Sequence, residues 1–209
     1  MAYLVLIADI IGSRKLPNRG GIQKKLAAEL DRLNATRSQL ASPYTITLGD
    51  EFQAVFEGAD RLFADLFSVM GALHPVELRF AISVGPLDTP INSREAIGMD
   101  GPAFHQARDL LERMKKRDRV IDLAGLPADD GLLDATLGLF NHQLRKWRAN
   151  RLAVMQQLLC GRDVATIAGE LDITEQSVYK NIRDGGLEAA IDLITTLTPR
   201  LNHALDDVD

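Results

Sequence analysis

The sequence predicts an α+β fold: a ferredoxin-like β-α-β-β-α-β unit, extended by one more helix and strand and followed by an all-helical part. Three observations predict it. Short apolar segments, several with twofold alternation, recur as far as Leu123. Segments with leucines at helical spacing separate them. After Pro127 the strand signals stop, and everything to about Leu197 reads helical. The change of pattern divides the chain into an α+β domain over residues 1–127 and a helical, helix-turn-helix domain over residues 128–209.

The elements follow in order. Ala2 to Ala8 is a nearly continuous apolar run, too short for a helix and suited to a buried strand. Gly12, Pro17, Gly20 and Gly21 then make a loop, and Leu26, Leu30 and Leu33 place a helix over Ile22 to Leu40. Tyr44 to Leu48 alternates as a strand does, and Gly49-Asp50 makes a tight turn into a strand over Gln53 to Phe56. A helix over Gly58 to Leu73 precedes a strand from Glu77 to Gly85, with Leu78, Phe80, Ile82 and Val84 on one face. A third helix over Pro102 to Met114 and a short strand over Arg119 to Leu123 complete the set. That order is the split β-α-β arrangement.

Composition narrows the function classes. One cysteine, Cys160, excludes an internal disulfide framework and fits a reducing compartment. The short apolar start, ended by Asp9 with no basic residue before it, does not read as a secretory signal. No segment approaches the roughly 20 apolar residues of a membrane span, so no membrane partner and a cytoplasmic location are expected. The formal net charge of −5 gives no global attraction for nucleic acid, and DNA binding would have to come from local patches.

The topology gathers two aspartates. A right-handed crossover makes the first two strands parallel, with the third antiparallel between them. The turn between strands two and three then lies at the end where strand one finishes. Asp9 and Asp50, far apart in sequence, are thereby expected at one sheet edge. Two carboxylates there repel unless protonated or bridged by a cation, and hard oxygen ligands suit Mg²⁺ or Mn²⁺ with substrate phosphates. The loop of Ile10, Gly12, Ser13 and Arg14 offers backbone amides and charge to a phosphate, and Arg108 on the third helix offers a guanidinium. Asp100 reads either as part of the pocket rim or as a cap for the helix that begins near Pro102. His105 reads as a helix-face packing residue.

In the C-terminal part, residues 164 to 182 space Ile167, Leu171, Ile173, Val178 and Ile182 as two short helices joined by a tight turn. Thr174 is placed as N-cap of the second, and Asp172 takes a turn position that requires left-handed backbone. Were this pair to bind DNA, the second helix would present Glu175, Gln176, Ser177, Tyr179, Lys180 and Arg183 to the major groove. Residues 145–209 carry eight basic against ten acidic side chains, a net charge near −2, which weakens phosphate attraction. A further helix spans Leu187 to Leu197.

Four segments carry a resemblance. ADIIGS at 8–13, TLGDEFQAVF at 47–56, LRFAISVG at 78–85 and GMDGPAFHQARDL at 98–110 resemble the SatD family, in which such a domain precedes a helix-turn-helix. The same segments are more distantly similar to class III nucleotidyl cyclases, whose two metal-binding aspartates and helical arginine fall on Asp9, Asp50 and Arg108. That likeness implies a cyclase-like domain with two metal ions acting on a triphosphate, and a homodimer. Departures stand beside it: Phe104 occupies the position of the cyclase asparagine, Ile46 that of the base-reading lysine, and Ser13-Arg14 replaces an aromatic-hydroxyl pair. The helix pair is similar to those of LuxR-type and sigma region-four proteins. Three functions stay open: a DNA-binding regulator whose domain binds a nucleotide or phosphate ligand with a divalent metal, a metal-dependent cyclase or other phosphoryl-transfer enzyme, and an interaction module with a relict site.

Overall fold

The computed structural model describes residues 1–36, 39–126 and 131–206. Five strands, β1 (Ala2–Ile10), β2 (Leu40–Ile46), β3 (Glu51–Phe56), β4 (Leu78–Pro86) and β5 (Ile121–Ala124), form one sheet in the order β2-β3-β1-β4-β5. All neighbours are antiparallel except β4 and β5. β3 therefore lies between the parallel strands β1 and β2, as the crossover argument requires. The expected division between residues 127 and 128 falls outside the described residues.

Alternation along β1 sets the two faces. Leu4, Leu6, Ala8 and Ile10 join one cluster of buried side chains, while Val5 and Ile7 join another. The second face is covered by α3 (Pro102–Arg117), which buries Phe104, Ala107, Leu111 and Met114 against the strands. Each large apolar side chain buried there contributes roughly 2 kcal/mol. The first face carries α1 (Arg19–Thr36) and α2 (Leu62–Leu73), with Leu26, Leu30, Leu33 and Phe67 inward.

The C-terminal helices are α4 (Gly131–Leu144), α5 (Ala149–Leu159), α6 (Val164–Glu170), α7 (Glu175–Gly185) and α8 (Leu187–Asp206). α5 packs on α2, and α8 reaches β1 and β4. Met155, Ile167, Val178, Ile194 and Leu201 accordingly belong to the same cluster as Leu6 and Phe80. Asn202 of α8 accepts from Ala59 N–H at 2.7 Å and donates to Asp60 at 3.0 Å, tying the helix to the loop after β3.

Several boundaries differ from expectation. β1 runs on to Ile10, so Asp9 sits inside the strand rather than closing it. β2 starts at Leu40 and ends before Leu48, which lies exposed in the turn. Pro43 is tolerated because β2 is an edge strand, where a missing N–H on the outward side costs no ladder bond. α8 continues to Asp206, past Leu197, because Leu201 and Ala204 extend its buried stripe through Pro199. No described helix is long and apolar enough to cross a membrane.

Candidate functional site

Register makes the site. Antiparallel pairing places Asp9 of β1 opposite Glu51 of β3 on one side and Arg79 of β4 on the other. Cross-strand partners share a face, and this face is the one covered by α3. Arg79 Nη1 lies 3.4 Å from Asp9 Oδ1, and Lys115 Nζ of α3 lies 3.8 Å from Asp9 Oδ2. Arg108, one helical stretch earlier, donates to Glu51 Oε2 at 2.6 Å. Two carboxylates and three cations thus gather at one end of the inner strands, with Glu51 and Asp9 side by side. Burial pushes the Asp9 carboxyl above its usual range; Arg79 and Lys115 pull it down and Glu51 adds a smaller upward push.

Asp50 reaches the same edge from a different direction. Its backbone carbonyl accepts from Ile10 N–H at 3.0 Å, closing the strand end, while its carboxylate accepts from the buried Ser13 hydroxyl. The carboxylate that shares a face with Asp9 is therefore Glu51, and Asp50 lies one residue away. Gly12 has φ +66°, a left-handed conformation that favours glycine. A side chain built there would meet nothing within 4 Å, leaving open space at the start of the short 3₁₀ helix Ser13–Lys15. The expected phosphate contact through the Ile10 amide does not fit this geometry. The Ile10 and Ile11 amides are committed to Asp50 and Glu77 carbonyls, so neither is free for a phosphate. The Ser13 hydroxyl turns inward to Asp50, and Arg14 is exposed.

A cleft of about 370 Å³ lies along α3, lined by Ile7, Gln53, Asp100, His105 and Arg108, and shares only Arg108 with the strand-end cluster. Asp100 is at its rim. The N-cap of α3 is Gly101, with φ 141°, and Asp100 instead accepts from Gly101 N–H and pairs with His105 Nε2 at 2.7 Å. His105 is exposed, not a packing residue; the packing position is Phe104, one residue before it.

The donor set sets limits on a cation. Among the described residues, no three His, Cys, Asp or Glu side chains are grouped to hold a metal ion. A metal here would rest on at most two carboxylates and fill its shell with water and phosphate oxygens, the way Mg²⁺ is commonly bound. Asp9 and Glu51 on one face, with Asp50 adjacent, fit that description as hard oxygen donors.

The second expected site lies on α7. Thr174 caps the helix by accepting from Ser177 N–H at 3.1 Å, and Asp163 caps α6 in the same way through Thr166. Asp172 takes φ 52° in the turn between them. Val178 and Ile167 are fully buried between the helices. Glu175, Gln176, Tyr179, Lys180 and Arg183 all face outward, with Tyr179 58% exposed. Ser177 is half-buried and its amide is spent on the cap.

Glu51, Arg79 and Lys115 are not among the site residues the sequence predicts. Arg79 was available from alternation, since it lies on the face opposite Leu78 and Phe80. Glu51 required the β1–β3 register, which no local pattern supplies.

The site and fold together are those of an α+β sheet domain with acidic and basic side chains at a strand end. The chain matches the SatD family model over residues 3–189 and belongs to that family. No curated protein matches it. Among solved structures it is similar to a bacterial light-regulated adenylyl cyclase, at 16% identity over 58% of this chain and 74% of that one, with a TM-score of 0.45. A guanylyl cyclase, Cya2, is also similar, at 16% identity over 54% and 68% of the two chains, with a TM-score of 0.39.

Proposed function

We propose that the chain is a DNA-binding regulator whose sheet domain, residues 1–127, binds a nucleotide or other phosphate-bearing small molecule together with Mg²⁺ or Mn²⁺. The observation that supports it most is the strand-end cluster. Asp9 and Glu51, with Asp50 adjacent, offer oxygen to a cation, while Arg79, Arg108 and Lys115, ion-paired with the first two, offer positive charge to an anion. A carboxylate held in a poorly solvated place at an electrostatic cost is a frequent mark of a binding or catalytic site. The exposed face of α7 is the DNA-reading element. Ligand occupancy at β1 and β3 reaches it through the common core and through Asn202 of α8.

The second reading is a metal-dependent phosphoryl-transfer enzyme. The buried Phe104, at the position where cyclases place a polar side chain, favours binding over turnover.

Thermal denaturation with Mg²⁺ or Mn²⁺ and a panel of nucleoside triphosphates and cyclic nucleotides tests the ligand half. A ligand at 100 times its Kd stabilises the fold by about 2.7 kcal/mol. The shift should need the metal and vanish in Asp9→Asn and in Asp50→Asn. Product chromatography on the same mixtures separates sensor from enzyme. Absence of any metal-dependent shift across the panel would remove the ligand half of the proposal.

A further inference from the structure

The chain carries its positive charge unevenly. From Ala135 to Arg162 there is no aspartate or glutamate, while Arg145, Lys146, Arg148, Arg151 and Arg162 all fall there. Lys146, Arg148, Asn150, Arg151 and Asn181 line a cleft of about 420 Å³ together with His74. Among the described residues, no acidic side chain lines it. Lys146 and Arg148 are exposed, and neither forms an ion pair among the described residues, nor does Arg151. Arg145, by contrast, is held by Glu77 and Asp118.

The cleft adjoins α7. Asn181 belongs to that helix, and Arg151 lies across its C-terminal end, where a side chain added at Gly185 would meet Arg151 Cδ at 2.6 Å. The turn before α5 brings Lys146 and Arg148 to the same side. Arg148 is the N-cap of α5 in extended conformation, with no side chain capping the helix end, so the positive end of the helix opens beside these cations.

We infer that this cleft is a clamp for the phosphate backbone of duplex DNA, engaged when the exposed face of α7 enters the major groove. The inference rests on the DNA-binding reading above and adds where the electrostatic affinity comes from. α7 supplies Lys180 and Arg183 but also Glu175 and Asp184, and Arg183 already meets Asp184 at 3.1 Å. Phosphate neutralisation therefore needs a second source, and backbone contacts that fix a recognition helix are commonly made by neighbouring elements. Uncommitted cations with the exposed Asn150 beside them match the chemistry of successive phosphates, while the Asn181 amide is engaged by the Ser177 carbonyl.

The test is fluorescence anisotropy of the full chain with a labelled mixed-sequence duplex over a range of salt. The variants are Lys146→Ala/Arg148→Ala, Lys146→Arg/Arg148→Lys and Lys180→Ala/Arg183→Ala. Removing one cation that neutralises a phosphate lowers the slope of log K against log salt by about one. The first variant should reduce the slope by about two and the affinity at low salt by at least about tenfold. The charge-keeping variant should retain both, and because Lys146 and Arg148 are exposed, melting curves should be unchanged. Wild-type binding that needs Lys180 and Arg183 but ignores Lys146→Ala/Arg148→Ala would overturn the clamp and leave the DNA reading standing. No binding by the wild type at low salt would overturn both. Tighter binding of a single-stranded RNA of equal length, abolished in the first variant, would assign the cleft to RNA and overturn the proposal.

Discussion

Asp9 of β1 and Arg79 of β4 face each other across the sheet with 3.4 Å between Oδ1 and Nη1, and both side chains are largely shielded, at 15% and 12% exposed. The pair is unequal. Burial raises the Asp9 carboxyl despite Arg79 and Lys115, so the folded protein holds that proton more tightly than the unfolded chain does. Any stability Asp9 contributes is then fully present below its usual value of 3.8 and is lost as pH rises through the folded value.

It follows that Asp9→Asn should gain stability relative to wild type as pH rises from about 4 to about 7. Arg79→Ala should do the reverse: it leaves a buried carboxylate without its nearest counter-charge and costs roughly 2 kcal/mol at neutral pH. Its cost should shrink in acid, where Asp9 is protonated. Urea denaturation at the two pH values checks both. An Arg79→Ala cost equal at pH 4 and 7 would show that the pair contributes through packing alone. A stabilised Asp9→Asn that no longer responds to metal and nucleotide would mark Asp9 as retained for binding rather than for the fold.

A second buried acid behaves alike in a different place. Tyr44 donates its hydroxyl to Asp65 at 3.1 Å beneath β2, and burial pushes the Asp65 carboxyl up to about 6, against the downward pull of Tyr44, Arg61 and Arg32 and with a small push from Glu29. Folding is favoured by this group below pH 3.8, and the benefit is lost as pH rises through about 6. Wild-type stability should therefore fall by on the order of 2 kcal/mol across that window, and Asp65→Asn should flatten the profile. Tyr44→Phe removes the donor, should cost about 1 kcal/mol at pH 7, and should move the loss of stability to lower rather than higher proton concentration. Denaturation across pH 4 to 7, with the Asp65 titration followed by NMR, checks the sign.

Much of this was legible in the chain. A right-handed crossover places β3 between β1 and β2 and brings Asp50 to the Asp9 end, because handedness and turn length leave one arrangement. Thr174 and Asp172 were readable because caps and left-handed turns are local chemistry. Glu51 was not, because its partnership with Asp9 depends on register between strands far apart in the chain. A single residue of slip would exchange Asp50 for Glu51 on that face. The packing of α5 and α8 onto the sheet domain was equally hidden, since an apolar helical stripe does not say which surface it covers.

The last relationship binds the C-terminal half to the sheet. Asn141 of α4 is 2% exposed and its amide is fully used. Oδ1 accepts from Val120 and Ile121 N–H at 2.6 and 2.8 Å, and Nδ2 donates to Ile121 and Leu137 carbonyls at 2.8 and 2.6 Å. β5 is an edge strand, and the outward N–H and C=O of Ile121 are met by this side chain as a next strand would meet them. Edge groups buried under a helix need such a partner. Asn141→Leu preserves volume but strands two donors and an acceptor beneath α4, so it should cost roughly 3 kcal/mol or more. Asn141→Asp keeps an acceptor for the two N–H groups but loses the donor to Ile121, and should fall between. Hydrogen exchange at Ile121 separates a local from a global effect. If Asn141→Leu left both melting temperature and Ile121 protection unchanged, the side chain would not be closing the sheet edge.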